Sequence, residues 1–305
     1  FLPISLDGVA ESDFTMILGY PGGTDRYLSS FGVRHAIETY NPTVVKIREE
    51  KLNILNRHMR ASRDINIMYA SKKARISNYW KYYIGQTRGL KRLRVYDKKK
   101  LLEKQFDAFV NSSDSNIMIY GDVLSDIRAA NDSLSNTTLS RIYLNEAAWS
   151  GPSFIRLARR SESMISSILS GEEDVVSESI NRFRGQVESN FKEYKKSIDK
   201  EIFVKMMEMY YEGVPSNQLP KIIKDMVARY GGDFQKWGDA LYDRSVFVDY
   251  KKMLKLLDDF NPNFPDVTVS VVENDPAFII QKSILDNYFQ KIRPQNSGPQ
   301  KKLDV

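Results

Sequence analysis

The chain has 305 residues, 42% of them apolar, which is enough to bury a sizeable core in one large domain or two smaller ones. The absence of cysteine excludes disulfides, thiolate metal sites and a cysteine nucleophile, and no run approaches the ~18 apolar residues of a membrane-spanning helix. The net charge of +6 would suit an anionic partner such as nucleic acid.

The first residues differ in pattern from the rest of the chain. Residues 2–6 and 14–18 are short apolar runs, and the second is followed by the turn-forming stretch Gly19–Gly23. Such runs predict strands joined by tight turns. We therefore expect a short β segment over residues 1–35. Because the chain opens on Phe1 without an initiator Met or a signal segment, we also expect it to be a piece of a longer protein.

From Ala36 onward, apolar residues recur at the spacing of amphipathic helices. The clearest stripes are Leu52, Leu55 and Met59; Leu101, Leu102, Phe106 and Phe109; Ile202, Phe203, Met206, Met207 and Tyr210; and Leu219, Ile222, Ile223, Met226, Val227 and Tyr230. No fixed-period repeat is present. The fold class predicted is mainly α: an irregular bundle of about seven to ten helices over residues 36–292, preceded by the β segment.

Helix boundaries are marked most clearly in the C-terminal half. Gly213 and the pair Gly231-Gly232 are typical of helix ends, and Asp233 is placed to cap the next helix. The pair Asp275-Pro276 predicts the start of a last helix.

Two segments lack a helical pattern. Residues 267–272 are rich in β-branched side chains, which predicts an extended crossing or a buried loop. Residues 293–300 are rich in proline and polar side chains, so we expect residues 293–305 to form a connecting tail.

Positive charge is concentrated between residues 88 and 104. Only Asp97 and Glu103 offset its eight cations, which are Arg88, Lys91, Arg92, Arg94, Lys98, Lys99, Lys100 and Lys104. A solvated helix face is the simpler interpretation, and a dedicated anion site is the alternative.

No group of residues matches a catalytic or metal-binding pattern. A Ser/His/Asp triad requires a histidine base, and only His35 and His58 are available, neither of them near a Gly-x-Ser-x-Gly elbow or in a metal-binding His pair. We expect both to be structural. The acidic residues Glu172–Asp174, Asp122 and Asp126 do not form a calcium loop, and helix capping explains them.

Aromatic and basic residues alternate in the stretch 75–83, which could stack on a nucleic-acid strand. Helical geometry favours another interpretation. It places five residues on one core-facing side, namely Ile76, Tyr79, Trp80, Tyr83 and Ile84, and leaves Lys72, Arg75, Asn78 and Lys81 outside it.

The segment Tyr69–Gly85, with its Ser-Asn-Tyr-Trp-Lys motif, and the segment Gly19–Tyr27 together resemble the bacterial serine dipeptidyl aminopeptidases of the dipeptidyl-peptidase seven and eleven type. Residues 2–19 and 300–304 fit the same pattern, while 107–260 match only in length and helical character. In that family an α-helical cap is inserted into a chymotrypsin-like double β-barrel.

The resemblance implies that residues 1–35 belong to the barrel, 36–292 form the cap and 293–305 lead back to the barrel. It places the catalytic serine, histidine and aspartate, and the specificity residue, outside this chain, so that no catalytic residue lies here and the chain alone is inactive. It also implies peptide substrates with a free N-terminus, no metal or cofactor, no nucleic-acid or membrane partner, a periplasmic or secreted location and a homodimeric parent.

Asn78 is the one substrate-binding residue implied by the resemblance. In the family, the asparagine at this place in the motif helps hold the α-amino group of the peptide, and an amide oxygen is a suitable acceptor for an ammonium group. A local cap or helix-bridging amide is the structural alternative. For the chain as a whole, the alternative function is a basic helical scaffold that binds nucleic acid or a protein through the 88–104 face.

Overall fold

The computed structural model describes residues 5–16, 25 and 27–303. These residues form fifteen α-helices, which are α1 (Ser30–His35), α2 (Asn41–Ala61), α3 (Arg63–Arg92), α4 (Val95–Val110), α5 (Asp114–Tyr120), α6 (Val123–Tyr143), α7 (Ser153–Ser170), α8 (Glu173–Lys192), α9 (Lys196–Gly213), α10 (Lys221–Arg229), α11 (Phe234–Arg244), α12 (Tyr250–Asp258), α13 (Pro265–Glu273), α14 (Pro276–Asn287) and α15 (Arg293–Leu303). Short π-helical segments are Ala36–Tyr40, Leu144–Trp149 and Tyr288–Ile292.

The predicted β segment, and with it the double-barrel part of the fold class, is wrong. Residues 5–16 form bends and a turn, residue 25 and residues 27–29 contain no strand, and helix begins at Ser30. A strand needs a neighbour for its backbone N–H and C=O groups. The exposed residues 5–16 lie beside no such partner in the described part of the chain. The stretch Gly19–Gly23 and the run 2–4 lie outside the described residues.

One hydrophobic core joins most of the helices. The long helices α2 and α3 pack side by side, α9 packs on both α2 and α11, and α7 packs on α8 and α14. At the centre, the ring of Phe203 lies 5.6 Å from that of Phe154 and 5.1 Å from that of Trp237. Each buried side chain of this size contributes about 1.5–3 kcal/mol. This core holds α3 against the rest of the bundle.

The helix boundaries predicted in the C-terminal half are confirmed. The Asp233 carboxylate accepts a hydrogen bond from the backbone N–H of Lys236 at 2.9 Å. Asp275 is the N-cap of α14, whose first residue is Pro276. Gly231 and Gly232 have φ angles of 61° and 80°, a left-handed conformation that glycine adopts without steric cost.

Two C-terminal segments are helical where the sequence predicts otherwise. Residues 267–272 lie inside α13, because Pro265 and Asp266 begin a helix and the spacing of Val269 and Val272 buries both on one face. Tertiary packing thus overrides the weak β-preference of valine. Residues 293–303 form α15, which packs along α6.

The apolar stripe predicted on α4 forms but is not covered by the described helices. Leu101, Leu102 and Phe109 are each more than half exposed. The rings of Phe106, Phe109 and Tyr120 contact one another between α4 and α5. The stripe therefore forms a small local cluster at the edge of the bundle.

The first and last described helices meet on the same turn of α6. His35 lies at the end of α1, and its Nε2 atom is 3.2 Å from the Thr138 hydroxyl. The adjacent Thr137 hydroxyl donates a hydrogen bond to the Asn296 side chain of α15. The described chain thus enters and leaves the bundle at neighbouring points.

Candidate functional site

Asn78 lies in the middle of α3, on the side that faces away from the core. Residues one turn away on the same side, Arg75, Lys81 and Tyr82, are exposed with it. The Asn78 side chain makes no hydrogen bond to any described residue. It is therefore neither a cap nor a bridge within this part of the chain, and its amide is free to bind a ligand.

The predicted core face of this segment is only partly correct. Ile76 is buried, and Trp80, Tyr83 and Ile84 are partly buried. Tyr79, however, is 52% exposed, because its ring packs beneath the Arg48 guanidinium, 5.1 Å from the ring centroid, rather than entering the core.

Arg48 of α2 fixes the turn of α3 that carries Asn78. Its Nη1 donates to the backbone carbonyl of Ile76 at 3.3 Å, and its Nη2 forms an ion pair with the Glu146 carboxylate at 2.7 Å. With the Tyr79 ring against the same guanidinium, Arg48 makes two contacts that hold residues 76–79. The position of Asn78 is thus set by a buried ionic group below it.

Lys51 completes this ionic group. Its side chain is 1% exposed, and its Nζ donates to the backbone carbonyls of Glu146 and Ser150 at 2.8 and 3.3 Å and lies 3.4 Å from the Glu146 carboxylate. Glu146 belongs to the π-helical segment Leu144–Trp149, whose widened turn leaves carbonyls for such donors. Burial lowers the pKa of the Lys51 ammonium to about 8, although the charge of Glu146 opposes the change.

The lowered pKa of Lys51 predicts a pH dependence of stability. Between about pH 8 and pH 10.5 the unfolded chain binds the proton that folded Lys51 has lost, so the free energy of unfolding should rise with pH by up to about 1.4 kcal/mol per unit. This pH dependence of the free energy of unfolding is measured by urea unfolding of the wild type and of Lys51→Met at pH 7.5, 8.5 and 9.5.

The free energy of unfolding of the wild type should increase relative to that of Lys51→Met as pH rises through this range. The exposed Lys224→Met should keep the wild-type dependence. A difference between the wild type and Lys51→Met that stays constant with pH would contradict the assignment.

A second buried polar group fixes the first half of α3. Asp199, 1% exposed, accepts hydrogen bonds from the backbone N–H of Ser153 and from the Tyr242 hydroxyl, both at 2.8 Å. The Ser153 hydroxyl in turn accepts from Lys72 of α3 at 3.1 Å. Burial raises the pKa of the Tyr242 hydroxyl, and the Asp199 charge adds to the effect. Lys72, predicted to be uncommitted, is therefore a structural contact.

The end of α8 adjoins the exposed side of α3. Arg75 forms an ion pair with Glu193 at 3.3 Å, and the Tyr69 hydroxyl of α3 accepts a hydrogen bond from the backbone N–H of Lys195 at 2.8 Å. Residues 193–195 thus lie beside the helix that carries Asn78.

Neither histidine is part of a Ser/His/Asp triad within the described residues. His58 pairs with Glu201 at 2.7 Å and with no serine in that part of the chain. His35 lies 3.3 Å from the Ser135 hydroxyl, but no carboxylate among the described residues hydrogen-bonds to it. Burial, and next the charge of Arg141, lower the pKa of the His35 imidazole, which matches a neutral ring between hydroxyl groups.

The acidic residues singled out from the sequence lie at helix starts. Glu173 and Asp174 occupy the first turn of α8, and Asp126 occupies that of α6. Within residues 5–16, 25 and 27–303, no three His, Cys, Asp or Glu side chains are grouped as metal ligands would be. Among the described helices, none has the length and apolar character to cross a membrane.

The basic 88–104 face is partly occupied by contacts within the chain. Arg94 pairs with Asp97, and Lys100 lies 5.0 Å from the Phe31 ring centroid. Glu103 accepts hydrogen bonds from the backbone N–H and hydroxyl of Ser30 at 2.6 and 2.7 Å. These contacts dock α1 on α4, which gives part of this face a structural role.

Comparison with known proteins shows which family the chain belongs to. The sequence profile of the family described as peptidase S46 matches residues 1–304. The chain belongs to the peptidase S46 family. It is 30% identical over 296 residues to the Asp/Glu-specific dipeptidyl-peptidase of Flavobacterium psychrophilum, covering 97% of this chain and 40% of that protein. It is 31% identical over 292 residues to dipeptidyl-peptidase 7 of Porphyromonas endodontalis, covering 95% and 34%.

The fold of this S46 chain also matches solved structures. The crystal structure of Porphyromonas endodontalis DPP11 in complex with the dipeptide Arg-Glu aligns with a TM-score of 0.76 at 20% identity, covering 93% of this chain and 39% of that one. A second crystal structure of the same DPP11 aligns with a TM-score of 0.72. The family resemblance expected from the sequence is confirmed, and the chain spans 34 to 40% of the lengths of these relatives.

Sequence reasoning missed the residues that support Asn78. Lys51 follows Ile47 by four residues and precedes Leu55 by four, so it lies on a buried stripe, and Asp199 lies between the buried Ile198 and Ile202. The sequence does place a charged residue on an apolar helix face, and this pattern indicates a buried charge that requires a buried partner. The sequence does not identify that partner, because the partner is distant along the chain.

Proposed function

We propose that this chain is the helical cap of a serine-type dipeptidyl aminopeptidase, which releases dipeptides from peptide N-termini. The cap narrows the cleft and holds the substrate α-amino group through Asn78. The observation that carries the proposal is the Asn78 amide, which is exposed and unpaired among the described residues while Arg48 and Glu146 fix the turn beneath it. The names of the S46 relatives support the reaction class.

The positions of α1 and α15 support an inserted cap. Residues 36–292 form the body of the cap, and α1 and α15 flank one turn of α6 at Thr137 and Thr138. Neighbouring ends of this kind allow a domain to be inserted into a host, because both ends connect to the same host domain. The nucleophilic serine, the histidine base and the aspartate belong to the remainder of the longer protein. That protein is an exported, homodimeric enzyme. Its export and its dimeric state are proposed from the family resemblance.

Activity of the longer protein tests the proposal. The full-length protein should hydrolyse dipeptidyl chromogenic amides with a free amine, lose this activity to a serine-reactive sulfonyl fluoride, and leave N-acetylated versions intact. The purified 305-residue chain should hydrolyse neither. Cleavage of internal bonds in N-acetylated peptides, or resistance to the sulfonyl fluoride, would contradict the proposal. A mock purification controls for contaminating peptidases.

A further inference from the structure

A groove with an aromatic floor lies beside α3, and Asn78 is not among the residues that line it. It runs between residues 188–196, at the junction of α8 and α9, and residues 248–251, at the start of α12. Its volume is about 690 Å³, within the range of ~300–1,000 Å³ typical of ligand sites.

The floor of the groove is held in place by contacts across it. The Tyr194 hydroxyl donates a hydrogen bond to the backbone carbonyl of Val248 at 3.1 Å. The Phe191 ring lies 4.7 Å from that of Tyr194 and 5.4 Å from that of Tyr250. Tyr250 is 39% exposed and offers a ring to a ligand. The surface is thus already formed in the free chain, which lowers the entropic cost of binding.

The rim of the groove carries unpaired positive charge. Four exposed lysines surround it, namely Lys192, Lys195, Lys196 and Lys251, and none forms an ion pair with a described residue. Of the three acidic residues in the segments that form the groove, Asp249 caps α12 through the backbone N–H of Lys252 at 3.0 Å, and Glu193 forms an ion pair with Arg75. Glu188 alone offers a carboxylate free of described partners to offset the lysines.

Some lysines elsewhere on the surface are paired, whereas others, such as Lys98 and Lys224, are exposed without an ion pair to a described residue. Several of the paired lysines contact a carboxylate on the same or a neighbouring helix, including Lys200 with Asp239, Lys205 with Glu208, Lys221 with Asp225 and Lys255 with Asp259. The groove therefore collects cations without the local counter-charges found on those helices. A ligand with several carboxylates would supply them.

We propose that this groove binds a short acidic peptide segment that contains an aromatic residue. The aromatic ring packs on Phe191 and Tyr250, and carboxylates on either side reach the lysine rim. Aromatic pairs gain energy beyond their buried area, and unpaired lysines attract carboxylates without first losing another partner. Such a segment needs no free N-terminus, so the groove acts independently of Asn78.

Binding of blocked peptides tests the inference. Acetyl-Asp-Glu-Phe-Asp-Glu-amide, labelled with a fluorophore, is titrated with the 305-residue chain and with the full-length protein, and anisotropy is measured. It should bind at least about tenfold more tightly than the Lys-Lys-Phe-Lys-Lys counterpart and weaken as salt is raised. Replacing its Phe by Ala should also weaken binding. Because both peptides are acetylated, failure here is distinguishable from failure of the proposed aminopeptidase activity.

Paired charge reversals separate the groove from the overall basic charge. Lys196→Glu/Lys251→Glu should weaken binding about tenfold. Both positions lie in first turns of helices, where a carboxylate is tolerated. Lys98→Glu/Lys224→Glu changes the net charge equally at exposed sites away from the groove and should bind as the wild type does. Tyr250→Ala should weaken binding while circular dichroism stays unchanged.

Three outcomes would overturn the inference. The first is equal loss of binding in the two double variants, which would assign the attraction to net charge. The second is equal affinity for the acidic and basic peptides. The third is binding by the 305-residue chain but not by the full-length protein, which would mean that the rest of the protein covers the groove. If circular dichroism finds the short chain unfolded, the full-length titration decides.

Discussion

Glu146→Ala is expected to lower the free energy of unfolding by about 3–5 kcal/mol. The Glu146 carboxylate is the only acidic partner of Lys51, which is 1% exposed, and of Arg48 among the described residues. Removing it leaves two cations at least partly buried with only backbone carbonyls as acceptors. The loss of stability comes from this uncompensated charge, because water cannot reach Lys51.

Urea unfolding at pH 7 measures the effect as a shift of the midpoint at unchanged slope. Glu178→Ala is the matched control: it breaks an exposed pair with Arg182 and should cost less than about 1 kcal/mol. Glu146→Ala/Lys51→Met should recover part of the loss, since it also removes the buried charge. Equal effects of Glu146→Ala and Glu178→Ala would contradict the account.

Asn78→Ala in the full-length protein is expected to lower kcat/KM for free-amine peptides by about 10- to 100-fold. A hydrogen bond to a charged group contributes about 1.5–3 kcal/mol, and about 1.4 kcal/mol corresponds to a factor of ten. The melting temperature should not move, because the exposed amide makes no hydrogen bond to a described residue. This prediction rests on the proposed function.

Two further variants sharpen the experiment. Asn78→Asp keeps an acceptor oxygen and should restore most of the activity lost in Asn78→Ala, which a purely structural role would not predict. Asn66→Ala removes an exposed amide from another side of the same helix and should leave kcat/KM unchanged. If Asn78→Ala instead lowered the melting temperature by several degrees at wild-type kcat/KM, Asn78 would be a structural amide.

The local signals of the sequence were reliable where they concern backbone chemistry. Asp233, Asp275 and the pair Gly231-Gly232 occupy the predicted helix ends, because capping and left-handed conformation depend on the residue itself and its immediate neighbours. The motif around Asn78 also indicated the family correctly, since a run of adjacent residues can be read without knowing how the helices pack.

Signals that depend on a partner failed more often. The apolar runs near the N-terminus predict strands, but a strand forms only beside another strand, and the described residues provide none. Residues 267–272 favour extended structure by composition, yet burial of Val269 and Val272 against the bundle makes them helical. Tyr79 fits the apolar face of α3, but Arg48 holds its ring at the surface.

The sequence by itself thus determined the helical character of residues 36–292, many helix ends and the family. Only the tertiary structure decided that Lys51, Arg48 and Glu146 form one buried ionic group under Asn78, and that four unpaired lysines surround an aromatic groove. The physical reason is sequence separation: the contact between Lys51 and Glu146 joins residues 95 positions apart, and its formation depends on the packing of whole helices. Periodicity indicates which face of a helix is buried, and not which helix will cover it.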